Sequence, residues 1–357
     1  MAPSLDVLRI DDLATESSDY VRTSTAAAMT LGFIPGRFYR DARLHCVNLL
    51  LTYEEGCQAK CAYCGLSGNR SASAVGDNQS FIRVDWPIVS IREVVARLTA
   101  GPPHVERVCV SMITNLRARE DTLTIVESLK PVTERVSVLI TPTIVNTEWL
   151  KELKLAGADM VGVAIDASTP QLFDKLRGSG VGGPHRWDNY WNTLSEALTV
   201  FGPRNASIHL IVGVGETEEE MVSAIARAHR MGARVHLFSF FPEEGSLMET
   251  TPQPPLNQYR RMQLARYLIE HDLANSEEMT FEDGALNGFG ISKEKAYDII
   301  TLGLPFMTSG CPGKTMENAC NRPYANETPA QAAKGLIRNF PFHPEKKDLT
   351  KIREQLK

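Results

Sequence analysis

The sequence predicts an α/β protein that folds as a closed (β/α)8 TIM-type barrel. Its 357 residues are 43% hydrophobic and 23% charged, the composition of a globular protein with a large core. Short apolar segments alternate along the chain with longer segments whose apolar residues recur at helical spacing. The short segments are apolar throughout, which is typical of parallel strands that helices cover on both faces. Eight strand–helix units of this kind are expected to close into a barrel.

Each element of the barrel is assigned from this alternation. The predicted strands are 46–53, 107–113, 136–141, 159–165, 207–213, 234–241, 278–282 and 304–308. The predicted helices are 90–100, 121–130, 147–156, 187–201, 217–231 and 256–272. If the last two strands do not form, a fold with six units is the alternative. The predicted regions are a leader at 1–40 with a helix at about 16–30, the barrel at 41–310, and a C-terminal tail at 311–357.

The charge and hydrophobicity of the chain exclude several classes of protein. The net charge of -5 and the pI near 6.0 argue against nucleic-acid binding through a basic face. The sequence contains no uninterrupted apolar run of about 18 residues, so no membrane span is predicted. Residues 1–18 contain early acidic side chains and no apolar stretch, so a secretory signal peptide is not expected.

Seven cysteines are the most informative feature, and three of them form the pattern Cys57-x3-Cys61-x2-Cys64. An odd number of cysteines without a signal peptide argues against a disulfide framework. Three thiolates within eight residues suit a soft metal or an iron–sulfur cluster and leave one metal position open. A zinc knuckle would need further ligands, but no Cys or His lies between Cys64 and His104. Three free thiols in a loop are the other alternative.

This pattern, with Tyr63 directly before its last cysteine, resembles the signature of the radical S-adenosylmethionine (SAM) superfamily. The resemblance implies a [4Fe–4S] cluster on the three thiolates, with SAM chelating the fourth iron. It also implies that an electron, from a donor of the ferredoxin or flavodoxin type, cleaves SAM to a 5'-deoxyadenosyl radical. The loop follows the first predicted strand, which agrees with the position of active sites at the carboxyl ends of barrel strands.

Residues after two other strands are expected to contact SAM. Gly213, Gly215 and Glu216 follow strand five and resemble the strand-five SAM-binding segment of the superfamily. A tight turn before a helix would also require glycine there, and an acidic residue suits a helix start. Asp166 follows strand four and resembles the carboxylate that binds the SAM ribose in biotin-synthase-like enzymes. An N-cap of the next helix is the alternative for Asp166.

Four polar residues that lie within or just after other predicted strands have less specific assignments. Thr114 and Asn115 follow strand two, where many superfamily members carry a Gly-Gly-Glu that this chain lacks. They are expected to supply polar contacts to SAM instead. His209 and His236 alternate with apolar residues within their strands, so they are predicted to be packed histidines rather than metal ligands.

A second cysteine group is predicted around Cys311 and Cys320. Cys311 directly follows the eighth predicted strand, so it is expected on the same face as the first group if the barrel closes. A cluster would need a third ligand, and Cys46 lies seven residues below its strand end, about 23 Å at ~3.3 Å per residue. Reach therefore favours Cys109, whose position also resembles a cluster cysteine of biotin synthase, and leaves Cys46 in the core. The prediction is an auxiliary iron–sulfur cluster on Cys109, Cys311 and Cys320; spare thiols or a redox pair are the alternatives.

Over about 40–330 the chain resembles the biotin-synthase-like branch, and most of all the subunits of two-component lipoyl synthases. The motifs that carry this resemblance are YEEGCQAKCAYCGL at 53–66, SGCP at 309–312 and CNRPY at 320–324. It implies sulfur insertion at C6 or C8 of an octanoyl chain on a lysine of a carrier protein or peptide. It also implies a paralogous radical SAM partner subunit, sulfur from the auxiliary cluster, and a reducing cytoplasm as the location.

Two other functions stay open at this point. One is another biotin-synthase-like reaction on a small molecule, such as a carbon-skeleton rearrangement or metallocofactor assembly. The other is a non-enzymatic iron–sulfur scaffold or electron carrier. The choice between C6 and C8 depends on the placement of one methylene group, which the sequence does not specify.

Overall fold

The computed structural model describes residues 15–70, 80–81, 84–323 and 332–356. The strands are β1 (Tyr20–Thr23), β2 (Cys46–Leu50), β3 (Ser80–Phe81), β4 (Val84–Asp85), β5 (Ile88–Ser90), β6 (Arg107–Ser111), β7 (Val136–Ile140), β8 (Met160–Asp166), β9 (Ala206–Val212), β10 (Arg234–Ser239), β11 (Thr280–Glu282) and β12 (Ala285–Gly288). The helices are α1 (Thr25–Thr30), α2 (Ile91–Ala100), α3 (Ala118–Leu129), α4 (Thr147–Ala156), α5 (Pro170–Arg177), α6 (Trp187–Phe201), α7 (Glu218–Arg230), α8 (Leu256–Glu270), α9 (Lys293–Leu302) and α10 (Lys346–Gln355).

The strands β2, β6, β7, β8, β9 and β10 form a parallel sheet in that spatial order. At one edge β1 pairs antiparallel with β2, and β5 pairs antiparallel with β1. All five residues of β2 are buried, as expected for a strand that is covered on both faces. The structure is a mostly parallel α/β sheet with intervening helices, which confirms the predicted TIM-like α/β fold class.

Six parallel strands, rather than eight, carry the βα units, so the six-unit alternative describes this sheet. The predicted seventh strand is β11, which pairs antiparallel with β12 in a separate hairpin. Its residues are exposed or half-buried, whereas the residues of a strand covered on both faces are buried. The predicted eighth strand begins as a 3-10 helix, Leu304–Phe306. Pro305 has no N–H group to donate to a neighbouring strand, which favours this outcome.

The leader also differs from the single helix predicted at 16–30. It contains the edge strand β1 and then the short helix α1. Ser24 separates the two, because its hydroxyl accepts a hydrogen bond from the Ala27 N–H at 3.2 Å and caps α1. Residues 1–14 of the predicted leader lie outside the described residues.

Residues 307–322, named here the plug segment, run along β10 and then across the amino ends of β2 and β6. Ser309 accepts a hydrogen bond from the Leu237 N–H of β10 at 3.0 Å. The Arg107 side chain, at the start of β6, donates to the Pro312 carbonyl at 2.6 Å. The His45 N–H, just before β2, donates to the Asn321 side chain at 2.9 Å. The plug segment therefore closes the amino end of the sheet.

The tail that follows is held by a small apolar cluster of its own. Phe306, Ile337, Phe340 and Ile352 are buried together, and Ile352 belongs to α10. This cluster packs α10 against Phe306, which directly precedes the plug segment. Among the described residues, every helix is too short or too polar to cross a lipid bilayer.

Candidate active site

A cavity of about 280 Å³ lies against the inner face of the parallel sheet. Alternate residues of each strand face it, as the two-residue period of a strand requires. These residues are Asn48 and Leu50, Cys109 and Ser111, Ser137 and Leu139, Gly162, Ala164 and Asp166, Ser207, His209 and Ile211, and His236 and Phe238. Six of the seven cysteines also line this cavity, and Cys46 is the exception.

The loop after β2 presents Cys57, Cys61 and Cys64 to the cavity at the carboxyl end of the sheet. Its backbone is anchored at two points. The Gln58 N–H donates to the Thr114 carbonyl after β6 at 2.8 Å, and the Ala62 N–H donates to the Leu176 carbonyl of α5 at 2.7 Å. The loop is thus held between two neighbouring elements, which fixes the direction of its thiols.

The environment of these three thiols fits a positively charged cluster. Burial raises the pKa of Cys61 to about 11, and burial together with the neighbouring Cys61 and Cys57 raises the pKa of Cys64 well above its usual value. Thiolates are the ligand form, so a cation is needed to stabilise three of them here. In the part of the chain that is described, no three Cys, His, Asp or Glu side chains converge on one metal ion. A [4Fe–4S] cluster instead binds each thiolate through a different iron, which spreads the ligands apart.

Asp166 lies at an irregularity in the β8–β9 pairing and has a left-handed backbone conformation, with φ of 65°. Its Oδ2 accepts a hydrogen bond from the Tyr63 hydroxyl at 2.5 Å and from Arg177 Nη1 at 2.6 Å. Burial raises the pKa of Tyr63 well above its usual value, so Tyr63 keeps the proton that it donates. The cysteine loop and β8 are therefore joined through one carboxylate inside the cavity.

The N-cap alternative for Asp166 is wrong. The N-cap of α5 is Thr169, whose hydroxyl accepts from the Leu172 N–H at 3.2 Å. Asp166 and Tyr63 both line the cavity, as a SAM contact requires. The ribose-binding role of Asp166 stays a prediction.

The segment from Gly213 to Glu216 lies outside the cavity wall. The Glu216 carboxylate folds back to accept from the Gly213 N–H at 2.7 Å and from the Val214 N–H at 3.0 Å. Gly213 has φ of 97°, and a Cβ there would approach Pro254 to 2.6 Å. A tight turn therefore accounts for this glycine. SAM contacts by Gly213, Gly215 and Glu216 stay a prediction.

Thr114 and Asn115 separate in the structure. Thr114 lines the cavity, and its carbonyl also holds the cysteine loop. The Asn115 side chain instead accepts from the Arg117 N–H at 3.0 Å, and Asn115 is not part of the cavity wall. Of the two, only Thr114 is positioned to meet a ligand directly.

The second cysteine group lines the cavity from the amino-terminal half of the sheet. The Cys109 and Cys46 thiols donate to Cys320, and these bonds, with His236 and His209 nearby, lower its pKa well below the usual value. Burial raises the pKa of Cys311 to about 12. Cys311 Sγ lies 3.9 Å from His236 Nε2. Cys320 therefore lies among the other cysteines and the two histidines of this group.

One expectation about this group is wrong, and another is confirmed. Cys311 does not lie on the face of the first cysteines, because no eighth strand precedes it and the plug segment crosses the amino ends of β2 and β6. Cys46 is completely buried in the core, as predicted, and Cys320 is one of its neighbours. The distance that disfavoured Cys46 as a ligand was counted from the carboxyl ends of the strands, whereas Cys320 approaches from their amino ends. His236, predicted to be packed, has one ring nitrogen beside Cys311.

Several other polar side chains line the cavity: Asn48, Ser137, Arg177, His185, Tyr190, Ser207, His209 and Arg322. Ser137, Ser207 and His209 lie on the same face of the sheet as Cys109 and Asp166, so strand periodicity would have identified them. Arg177 had no such signal, because it ends a helix, α5, that the sequence did not predict.

The fold and this site define a TIM-like α/β protein with a three-cysteine loop at the carboxyl end of its sheet. Residues 53–228 match the radical SAM superfamily, and the chain therefore contains a radical SAM domain. This family implies a [4Fe–4S] cluster and SAM, and the thiols of Cys57, Cys61 and Cys64 fit that cluster.

Two kinds of similar protein accompany the family match. GTP 3',8-cyclase from Rippkaea orientalis is 23% identical over 183 residues, which cover 50% of this chain and 51% of that protein. The chain thus spans about half the length of this curated relative. The [FeFe]-hydrogenase maturase HydG from Carboxydothermus hydrogenoformans has a TM-score of 0.49 at 17% identity, covering 69% of this chain and 55% of that one. A second HydG structure has a TM-score of 0.49 at 14% identity, covering 62% and 48%.

Proposed function

We propose that this radical SAM enzyme inserts sulfur into an octanoyl chain on a lysine of a carrier protein or peptide, as one of two paired lipoyl synthase subunits. The observation that carries the proposal is that two separate groups of cysteines face one cavity. Cys57, Cys61 and Cys64 would hold the SAM cluster. Cys109, Cys311 and Cys320 would hold an auxiliary iron–sulfur cluster.

When bound, SAM and its cluster supply the radical that removes a hydrogen atom, and the auxiliary cluster supplies the sulfide that replaces it on carbon. The chain's own contribution is to separate the two groups by a suitable distance. Cys109 is in register with Asn48 of β2, two residues before the carboxyl end of that strand at Leu50, about 7 Å at ~3.3 Å per residue. An acyl chain lying along the cavity would thus meet the first group near one end and the second near the other.

The wall between the two groups suits an apolar chain. Leu139, Ile211 and Phe238 face the cavity. Each lies two residues closer to the carboxyl end of its strand than the polar residue on the same face, which is Ser137, His209 or His236. Burying methylene groups against such side chains is favourable, at ~0.8 kcal/mol per CH₂. Exclusion of water would also protect a carbon radical from side reactions.

Asp166 is proposed to orient SAM. Tyr63 and Arg177 both bind Oδ2 of this carboxylate, which leaves Oδ1 to accept hydrogen bonds from ribose hydroxyls. The buried Arg177, whose Nη1 lies 2.6 Å from Oδ2, fixes the direction of this carboxylate. Because Tyr63 belongs to the cysteine loop, the same contact would align SAM with its cluster.

A reaction on a nucleotide, suggested by the GTP 3',8-cyclase relative, fits the cavity less well. Phosphate groups prefer arginine and lysine partners. In the wall that the described residues form, the cationic side chains are Arg177 and Arg322, and Arg177 is already paired with Asp166. Another radical reaction on a small molecule, including metallocofactor assembly, stays the alternative.

The test is a mass measurement on an octanoyl-lysine peptide. The reconstituted protein would be incubated without oxygen with SAM, dithionite and the peptide, with and without a paralogous radical SAM subunit from the same genome. The expected product has gained one sulfur, and replacing dithionite by ferredoxin or flavodoxin should support the same reaction. Formation of 5'-deoxyadenosine without sulfur gain in any of these mixtures would reject the lipoyl proposal and favour the small-molecule alternative.

A further inference from the structure

Cys46 has an environment that a core residue does not require. It is the first residue of β2, it is completely buried, and the two-residue period of the strand puts it on the same face as Asn48 and Leu50, which line the cavity. The neighbouring backbone is joined to the plug segment next to Cys320, because the His45 N–H donates to the Asn321 side chain at 2.9 Å, and Cys320, Cys109 and Arg107 are close enough to affect the ionisation of Cys46. A small apolar residue would fill the same space without placing a fourth thiol in this group.

Cys320 is the point at which the second group meets. It accepts hydrogen bonds from both Cys109 and Cys46. Cys311 is tied to it through the backbone, because the Cys320 N–H donates to the Cys311 carbonyl at 3.1 Å. Four thiols from β2, β6 and the plug segment are therefore gathered at one end of the cavity.

Two other side chains compete for a fourth ligand position. Ser137 lies beside Cys109 and Cys311, although its buried hydroxyl makes no hydrogen bond to the described residues, and His236 Nε2 lies 3.9 Å from Cys311 Sγ. Both of these side chains approach Cys311, whereas Cys46 approaches Cys320. Thiolate is also the usual ligand of iron–sulfur clusters, ahead of hydroxyl and imidazole.

Two arginines lie close to the four thiols, and one of them, Arg107, is already paired with Asp159. Arg107 is buried at the amino end of β6, and its side chain is oriented by Asp159 and the Pro312 carbonyl, each at 2.6 Å. Arg322 lines the cavity near Cys320. Buried charges are tolerated when opposite charges and hydrogen bonds surround them.

We infer that Cys46 is the fourth thiolate of the auxiliary cluster, which is then held by Cys46, Cys109, Cys311 and Cys320. This inference rests on the proposed function, which introduces that cluster. A cluster with four thiolates has no open iron, in contrast to the SAM cluster with its three. It binds no external ligand, so the sulfur that it donates comes from its own bridging sulfides.

The test uses the full chain with Cys57→Ala, Cys61→Ala and Cys64→Ala together, so that only the second group can bind iron. After anaerobic reconstitution this parent should hold about four irons per chain. Adding Cys46→Ala should open one iron site, so that mild oxidation gives the EPR signal of a three-iron cluster and leaves about three irons. Adding Ser137→Ala instead, at the competing position, should leave about four irons and the parent spectrum.

Cys46→Ser provides a second variant in case Cys46→Ala does not fold, which circular dichroism would reveal. A hydroxyl in place of the thiolate should keep the cluster but give one iron with an oxygen-ligated Mössbauer signature. If both Cys46 variants match the parent in iron content and spectra, Cys46 is only a core residue and the inference is overturned. If the parent itself binds no iron, or zinc instead, the auxiliary cluster and the proposed function fall with it.

Discussion

The two cysteine groups share one cavity but are built in opposite ways. The first occupies eight residues of one loop, and backbone hydrogen bonds to Thr114 and Leu176 fix that loop. The second is assembled from the strands β2 and β6 and from the plug segment, and its members contact each other through their thiols. One group depends on local geometry, and the other exists only once the C-terminal part of the chain has packed against the sheet.

This difference has a consequence for folding. A metal cluster in the first group orders one loop, whereas a cluster in the second would join β2, β6 and the plug segment. Binding that is possible only in the folded chain adds its free energy to folding. We therefore expect loss of the second group to loosen the amino end of the sheet, and loss of the first to leave the fold intact.

The largest effect is expected from Cys61→Ala. Changes around a metal ligand commonly reduce activity by ~10–100-fold, so removing a ligand should reduce SAM cleavage by at least ~100-fold. Chromatographic measurement of 5'-deoxyadenosine checks this, and iron bound to the second group should persist. Lys60→Ala, an exposed position in the same loop, is the control and should retain the parent activity. Parent-like cleavage by Cys61→Ala would mean that this loop does not hold the SAM cluster.

Cys320→Ala should separate the two chemistries. It removes the thiol to which Cys109 and Cys46 both bond, so the second group should lose its iron. Sulfur gain on the octanoyl peptide should disappear, while 5'-deoxyadenosine is still formed. Lys314→Ala, exposed on the plug segment, should change neither product. Loss of 5'-deoxyadenosine in Cys320→Ala as well would contradict a division of labour between the groups.

A smaller effect is expected from Tyr63→Phe, which removes the 2.5 Å hydrogen bond to Asp166. A hydrogen bond to a charged group contributes ~1.5–3 kcal/mol, so SAM should bind at least ~10-fold more weakly. Equilibrium dialysis with labelled SAM measures this on the reconstituted protein. Tyr297→Phe, an exposed tyrosine on α9, should bind SAM as the parent does. Equal affinity in both variants would remove Asp166 and Tyr63 from the SAM site.

The first region was predictable from sequence, and the second only in part. Cys57, Cys61 and Cys64 are close in the chain, so their spacing alone indicates a shared ligand. The parallel strands were also recognisable, because they are short, apolar and separated by amphipathic helices. The position of Cys311 was not recognisable. It depends on the direction in which the plug segment crosses the sheet, and no local sequence pattern specifies that direction. The proximity of Cys46 to Cys320 was not predictable for the same reason, because the two residues are far apart in sequence.

The smallest effect concerns Glu106, which holds the plug segment through the Thr315 and Met316 N–H groups at 2.8 and 3.1 Å. Burial opposes its ionisation, but these hydrogen bonds outweigh burial and lower its pKa from 4.5 to about 2. A lowered pKa in the folded state stabilises the protein above pH 4.5, and this contribution is lost as the pH falls from 4.5 towards 2. Because Glu106 is only partly buried, the effect should be modest.

Thermal unfolding of the metal-free protein checks this contribution. Glu106→Gln should lower Tm by about 1–2 °C at neutral pH, and the difference from the parent should shrink as the pH falls below 4.5. The exposed Glu127→Gln is the control and should leave Tm unchanged. A difference between parent and Glu106→Gln that stays constant across this pH range would show that the carboxylate does not act through its charge.

The most direct test of the account follows the sulfur atom itself. The protein would be reconstituted with heavy-isotope sulfide, freed of excess reagent, and allowed one turnover on the octanoyl peptide in a buffer containing ordinary sulfide. The product is expected to carry heavy sulfur, and Cys320→Ala, which keeps the SAM cluster, is expected to form none. Ordinary sulfur in the product, or heavy sulfur transferred by Cys320→Ala, would contradict the assignment of sulfur donation to the second cysteine group.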